Sequence, residues 1–192
     1  MNAKDLMIET WQDQIVDEVP IIPTPHDWLA HQVIQDLRSL GARLAVAESC
    51  TGGILASRLT SISGSSQVFD CGVVCYSNHA KSNIVGVHQE VIEGAGAVSQ
   101  RVAVDLAKGI CDISRADIGI GITGIAGPDG GRKGKPVGLV YIGFYTEHDR
   151  RSWHHKHHFL GIRSIVQQNA AKAALQHLMT WIGNELTDRE EG

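Results

Sequence analysis

The apolar run Leu44-Ala45-Val46-Ala47 stops abruptly at Glu48-Ser49-Cys50-Thr51-Gly52-Gly53, and helical spacing follows through Ile54, Leu55, Leu59 and Ile62. A short all-apolar run is what a strand buried on both faces requires, and the two glycines mark a tight turn into a helix. A strand–turn–helix unit of this kind commits a chain to layers of helix on sheet. The pattern then repeats. Val68 to Tyr76 reads as a second largely apolar strand, Asp117 to Ile122 as a third, Val137 to Tyr145 as a fourth and residues 152–159 as a fifth. Between them, helical spacing covers about 51–62, short pieces within 79–94, and a helix capped by Ser99 with Val102, Ala103, Leu106, Ala107 and Ile110 on one face. A helix from Trp28 to Leu40, stopped by Gly41, precedes the first strand, and a long helix over about 162–183 closes the domain. Strands alternating with helices predict a three-layer α/β/α sandwich around a mainly parallel or mixed sheet.

With 192 residues the chain suffices for one well-buried domain and is short for two. Residues 1–24 read as an irregular N-terminal extension broken by Pro20 and Pro23, with the domain over 25–183 and a charged, frayed tail over 184–192. The net charge of −4 gives no electrostatic footprint for nucleic acid or an anionic membrane. The apolar runs fall short of the roughly 20 residues a membrane helix needs. Four cysteines without a disulfide framework, and no signal segment, predict a reduced, cytoplasmic setting.

Two glycine-rich segments leave the carboxyl ends of predicted strands, which is where open α/β sheets bind ligands. In 48–53, Ser49 is a candidate nucleophile whose oxyanion would be held by N–H groups near Thr51, Gly52 and Gly53; the plainer reading is a helix cap. Cys50 is a rival nucleophile or a small buried filler. In Tyr76-Ser-Asn-His-Ala-Lys81, Lys81 could remove the serine proton if burial lowers its pKa, and Tyr76 could relay a proton. Thr123 to Gly131 packs four glycines and a proline into nine residues, with Lys133 and Lys135 following. Successive N–H groups there could nest an anion, yet the spacing matches neither a Walker loop nor a dinucleotide fingerprint. Glu48 could orient the serine, bind substrate or sit at the helix start. Alternation along the fifth strand places His154 and Lys156 on one face and His155 and His157 on the other. A chelating pair is one reading of these histidines, a polar strand the other.

The words AESCTGG (47–53), LASRLTSISGSS (55–66), VVCYSNHAK (73–81), GAVS (96–99), TGIAGPDGG (123–131) and KPVG (135–138) resemble those of the CinA C-terminal domain family of competence-damage-inducible proteins. They span roughly 27–182. Members that consist of this domain alone are nicotinamide mononucleotide deamidases. The resemblance implies hydrolysis of that substrate to nicotinate mononucleotide and ammonia, in the pyridine nucleotide cycle, with no metal or organic cofactor. It implies Ser49 as nucleophile with Lys81 and Tyr76 completing the catalytic set. It implies Thr123 and Arg163 as substrate contacts, the arginine for the phosphate; Glu48, Thr51, Gly52, Gly53 and Gly124 join them as candidate substrate-binding residues. A homo-oligomer is expected on the same ground. The chain departs from the family at Asp70-Cys71, Asp129, Arg132, Ile162 and Gln167. Rival readings are a non-catalytic nucleotide-binding or interaction module, and an amidase for another small amide.

Overall fold

The computed structural model describes residues 27–191, so the extension 1–24 lies outside the described residues. The order of elements is α1 (Trp28–Leu40), β1 (Leu44–Glu48), α2 (Ile54–Thr60), β2 (Phe69–Val74), α3 (Asn78–Asn83), α4 (Gln89–Ala95), α5 (Gln100–Ser114), β3 (Ile118–Gly124), β4 (Leu139–Thr146), β5 (Arg151–His158) and α6 (Arg163–Glu191). The five strands form one mixed sheet in the order β2-β1-β3-β4-β5. β1 pairs in parallel with β2 and β3, and β4 runs antiparallel to both β3 and β5.

Side-chain alternation sorts the layers. On β1, Leu44 and Val46 join a core with α1, α2 and α6, while Ala45 and Ala47 join a second core with α4 and α5. β3 reads Ile118-Gly-Ile-Gly-Ile122, so its isoleucines all fall in the first core and its glycines turn to α5. A methyl group on Gly119 would come within 1.9 Å of the Ala107 carbonyl oxygen, and one on Gly121 within 2.2 Å of that of Ala103. Gly143, paired with Gly121 across β3 and β4, would meet the Ala103 backbone at 2.3 Å. α5 thus lies on a glycine floor closer than any side chain would permit. The predicted sandwich is the observed one.

Boundaries shift where local physics decides them. α2 begins at Ile54 rather than 51, because Gly52 and Gly53 take positive φ of 64° and 97° and cannot start a right-handed helix. β3 continues through Thr123 and Gly124, which are therefore strand residues and not part of the glycine loop. α6 runs on to Glu191, so residues 184–191 extend the helix rather than fraying at 183. Leu186 continues the apolar stripe four residues after Ile182 and packs on the core, and Thr187 Oγ1 donates to the Gly183 carbonyl at 2.9 Å.

The expected alternation of β5 holds. His155 and His157 turn toward α6, where they meet His177: the His155 and His177 rings stack at 3.5 Å, and His157 Nε2 lies 2.9 Å from His177 Nε2. A nitrogen pair at that distance shares one proton, so at most one of the two carries hydrogen there. Among the described residues no group of three or more His, Cys, Asp or Glu side chains is arranged to hold a metal ion, and this cluster is packing between sheet and helix. Burial lowers the pKa of His155 and His157 and brings that of His177 down to about 4. The unfolded chain takes up these protons near 6.5, so it binds more protons than the folded chain between 6.5 and about 4. Stability is therefore full above that range and lost as the pH falls through it. The melting temperature is expected to drop between about pH 7 and about pH 5, and His177→Phe to flatten that dependence. An equal slope in both proteins, measured by circular dichroism, would assign the acid sensitivity elsewhere.

Candidate active site

The parallel strands β2, β1 and β3 end at Val74, Glu48 and Gly124, so the segments that leave them gather along one edge of the sheet. There they enclose a cavity of about 280 Å³ whose lining includes Ser49, Tyr76, Lys81, Thr123, Gly124 and Arg163. The two segments expected to face one another across a cleft do so.

Lys81 is 2% exposed and Ser49 7%. Lys81 Nζ lies 2.9 Å from Ser49 Oγ, 3.1 Å from the Cys75 carbonyl oxygen and 3.2 Å from that of Tyr76. α3 presents the lysine here because Ser77 caps that helix, accepting from the Ala80 N–H at 3.0 Å. Burial pushes the Lys81 pKa below its ordinary value of 10.5. No carboxyl group contacts it among the described residues. A neutral amine there gives two N–H groups to the two carbonyls and has one lone pair remaining, which faces the serine hydroxyl. That is the arrangement a general base requires.

Glu48 is 1% exposed, and its carboxyl oxygens accept the N–H groups of Gly53 at 3.1 Å, Leu55 at 3.1 Å and Ala56 at 2.8 Å. Of the readings open to this residue, the structure selects the helix start. The consequence corrects the substrate-contact expectation for Glu48, Gly52 and Gly53: the start of α2 already holds an acid and is closed to a ligand anion. Gly53 has given its N–H to Glu48, and Gly52 gives its own to the Ser49 carbonyl at 3.2 Å. Thr51 is 1% exposed and, like Glu48, Gly52 and Gly53, lies outside the cavity wall. Among the described residues the elbow N–H group with no acceptor is that of Thr51, while that of Cys50 meets only its own thiol. Cys50 lines the cavity but is 5% exposed, and burial lifts its thiol to about 12, which disfavours the thiolate at neutral pH.

Tyr76 reaches Lys81 through its carbonyl and not its ring. The hydroxyl accepts from Arg163 Nη2, and the side chain is 58% exposed, so a relay from Tyr76 to Ser49 is not the geometry present. Arg163 also donates through Nη1 to the Gly127 carbonyl at 2.8 Å, tying the start of α6 to the glycine loop at the cavity wall. Thr123 donates its hydroxyl proton to the Ala97 carbonyl at 2.7 Å, leaving only lone pairs for a ligand. Lys135 lies outside the cavity wall and donates to the carbonyls of Ala95 at 3.0 Å and Val98 at 2.7 Å. Asp129 lines the cavity without an ion pair to Arg132 or Lys133 among the described residues.

Asn78, Ala97 and Val98 complete the wall without having been singled out in the sequence. Asn78 lies inside the YSNHAK word and Ala97-Val98 inside GAVS, so the words held them although no chemistry marked them. Gln167 donates Nε2 to the Cys50 carbonyl at 2.8 Å, a contact with no sequence signal.

Residues 26–182 match the CinA C-terminal domain. A CinA-like protein of Syntrophobacter fumaroxidans is 50% identical over 145 residues, covering 76% of this chain and 33% of its own length. The chain spans about a third of the length of the first such curated relatives. A Shigella flexneri protein named nicotinamide-nucleotide amidohydrolase PncC is 45% identical over 151 residues, covering 78% of this chain and 90% of its own. Among solved structures, the competence/damage inducible protein CihA of Agrobacterium tumefaciens superposes with a TM-score of 0.78 at 38% identity, covering 84% of this chain and 98% of that one. A CinA superfamily protein of Escherichia coli gives 0.75 at 34% identity, covering 83% and 94%.

Proposed function

The chain belongs to the CinA C-terminal domain family, and on that premise we propose that it is an amidohydrolase converting nicotinamide mononucleotide to nicotinate mononucleotide and ammonia. The observation that carries the reading is the buried lysine amine 2.9 Å from the Ser49 hydroxyl, aimed by two carbonyls. In the proposed reaction Lys81 takes the Ser49 proton as Oγ bonds to the carboxamide carbon. The oxyanion is held by the N–H groups of Cys50 and Thr51, a class of interaction worth roughly 3 kcal/mol per donor. Lys81 then gives its proton to the departing nitrogen, and ammonia leaves a nicotinoyl ester on Ser49. Water attacks that ester, Lys81 accepts its proton and returns one to Ser49 Oγ, and nicotinate mononucleotide departs. Arg163, at the cavity wall, is the cation for the phosphate. Such an activity returns the pyridine ring to NAD synthesis.

The test is ammonia release from nicotinamide mononucleotide beside a panel of small amides lacking ribose phosphate, with the Shigella PncC protein assayed in parallel. The mononucleotide is expected to be the preferred substrate. Silence from this chain while the relative turns over would sink the proposal, and preference for a simple amide would replace the substrate but keep the chemistry.

A further inference from the structure

α6 meets the active site twice. Arg163, its first residue, reaches the cavity wall, and Gln167 lies one turn further on, half-buried and outside that wall. The Gln167 side chain lies over the elbow: its Nε2 donates to the Cys50 carbonyl at 2.8 Å and would stand 3.8 Å from a methyl group on Gly52. No other hydrogen bond reaches that carbonyl among the described residues, while the Ser49 and Thr51 carbonyls are taken by the N–H groups of Gly52 at 3.2 Å and Ile54 at 3.3 Å. Those two bonds are long, and the glycines at 52 and 53 allow the backbone wide freedom. The elbow is thus poorly fixed from within at the point where the oxyanion donors sit.

The peptide unit joining Cys50 to Thr51 is planar, and its C=O and N–H point in opposite directions. A side chain that grips the C=O therefore also sets the direction of the Thr51 N–H. We infer that Gln167 is a positioning residue that holds the Cys50–Thr51 peptide so that the free Thr51 N–H presents itself to the oxyanion formed on Ser49. The inference rests on the proposed role of Ser49 as nucleophile, and it gives a physical role to a position where the chain departs from its family. The departure at 167 touches the elbow and lies outside the cavity wall.

The isosteric Gln167→Glu keeps the shape, removes the donor and turns a carboxyl oxygen on the carbonyl. Gln167→Arg restores a donor. Two readouts apply to each purified variant: steady-state ammonia release from nicotinamide mononucleotide, and the rate at which a fluorophosphonate probe modifies Ser49, followed by intact mass. Gln167→Glu is expected to lower kcat at least tenfold, with KM within about threefold of wild type. The probe rate should fall in step, and the melting temperature should shift by no more than a few degrees. Gln167→Arg is expected to recover most of both rates. A Gln167→Glu protein with unchanged kcat and probe rate overturns the inference, as does a raised KM at constant kcat, which would make Gln167 a substrate contact. Should Gln167→Glu fail to fold, Gln167→Ala takes its place with the same criteria. A wild type that reacts with the probe but not with the mononucleotide leaves the positioning test intact while removing the proposed substrate. One that reacts with neither removes the nucleophile, and this inference with it.

Discussion

Ser49→Ala and Lys81→Met are each expected to lower ammonia release from nicotinamide mononucleotide by about a thousandfold or more, with little loss of substrate affinity. In the proposed mechanism the two side chains form one device. Among the described residues Lys81 Nζ has hydrogen-bond partners only in the Cys75 and Tyr76 carbonyls and the Ser49 hydroxyl, so removing either member leaves the other without its proposed reaction partner. The double variant should consequently be no slower than Ser49→Ala alone, within about twofold, because residues that act as a unit are not additive. Methionine is the informative replacement at 81, since it fills the buried channel without an amine. The pH dependence follows from the direction of the shift. Burial places the Lys81 pKa below 10.5, and only the neutral amine accepts the serine proton. kcat/KM should therefore rise with pH and level off at an inflection below that value. A rate that stays flat across the alkaline limb, or a Lys81→Met protein within tenfold of wild type, would assign the base to another group.

The sequence was most legible where a residue's partners are its neighbours in the chain. The run Leu44 to Ala47 is apolar at every position because both faces of β1 are covered, and that shows in the letters alone. So does the Ser99 cap, whose Oγ accepts the Val102 N–H three residues on. The joining of Ser49 to Lys81 needed more. Thirty-two residues separate them, and only the parallel pairing of β1 with β2 brings their loops together. Family words could announce that proximity; periodicity could not. Assignment of side-chain roles was less readable. An acid before a serine reads equally well as orienter, substrate ligand or helix cap, and Glu48 is settled only by the direction in which its carboxyl group turns. Tyr76 failed for the same reason, since its carbonyl and its hydroxyl serve different partners. Gln167 was visible as a departure, but its acceptor lies 117 residues away, and no local pattern encodes that.

The largest expected effect on stability lies at Glu48. Its two carboxyl oxygens satisfy three backbone N–H groups at the start of α2, in a position 1% exposed where water cannot replace them. Glu48→Ala leaves those donors unpaired, removes a favourable negative charge from the helix start and opens a void. A buried unpaired polar group costs about 1–3 kcal/mol, so with partial relaxation the total loss should be about 3–5 kcal/mol. For a domain of this size that corresponds to a fall in melting temperature on the order of 10 °C. Glu48→Gln is the sharper variant. It keeps the volume and one acceptor oxygen but puts an amide N–H₂ against a backbone donor, so it should lose roughly half as much stability. Because the same three bonds hold the residues that follow Ser49, the folded Glu48→Gln protein should also turn over more slowly, with KM little changed. Thermal melts and steady-state rates on the same preparations separate the two effects. A Glu48→Ala protein melting within about 2 °C of wild type would mean that the start of α2 finds other partners, and that Glu48 serves the site by some route other than fixing its backbone.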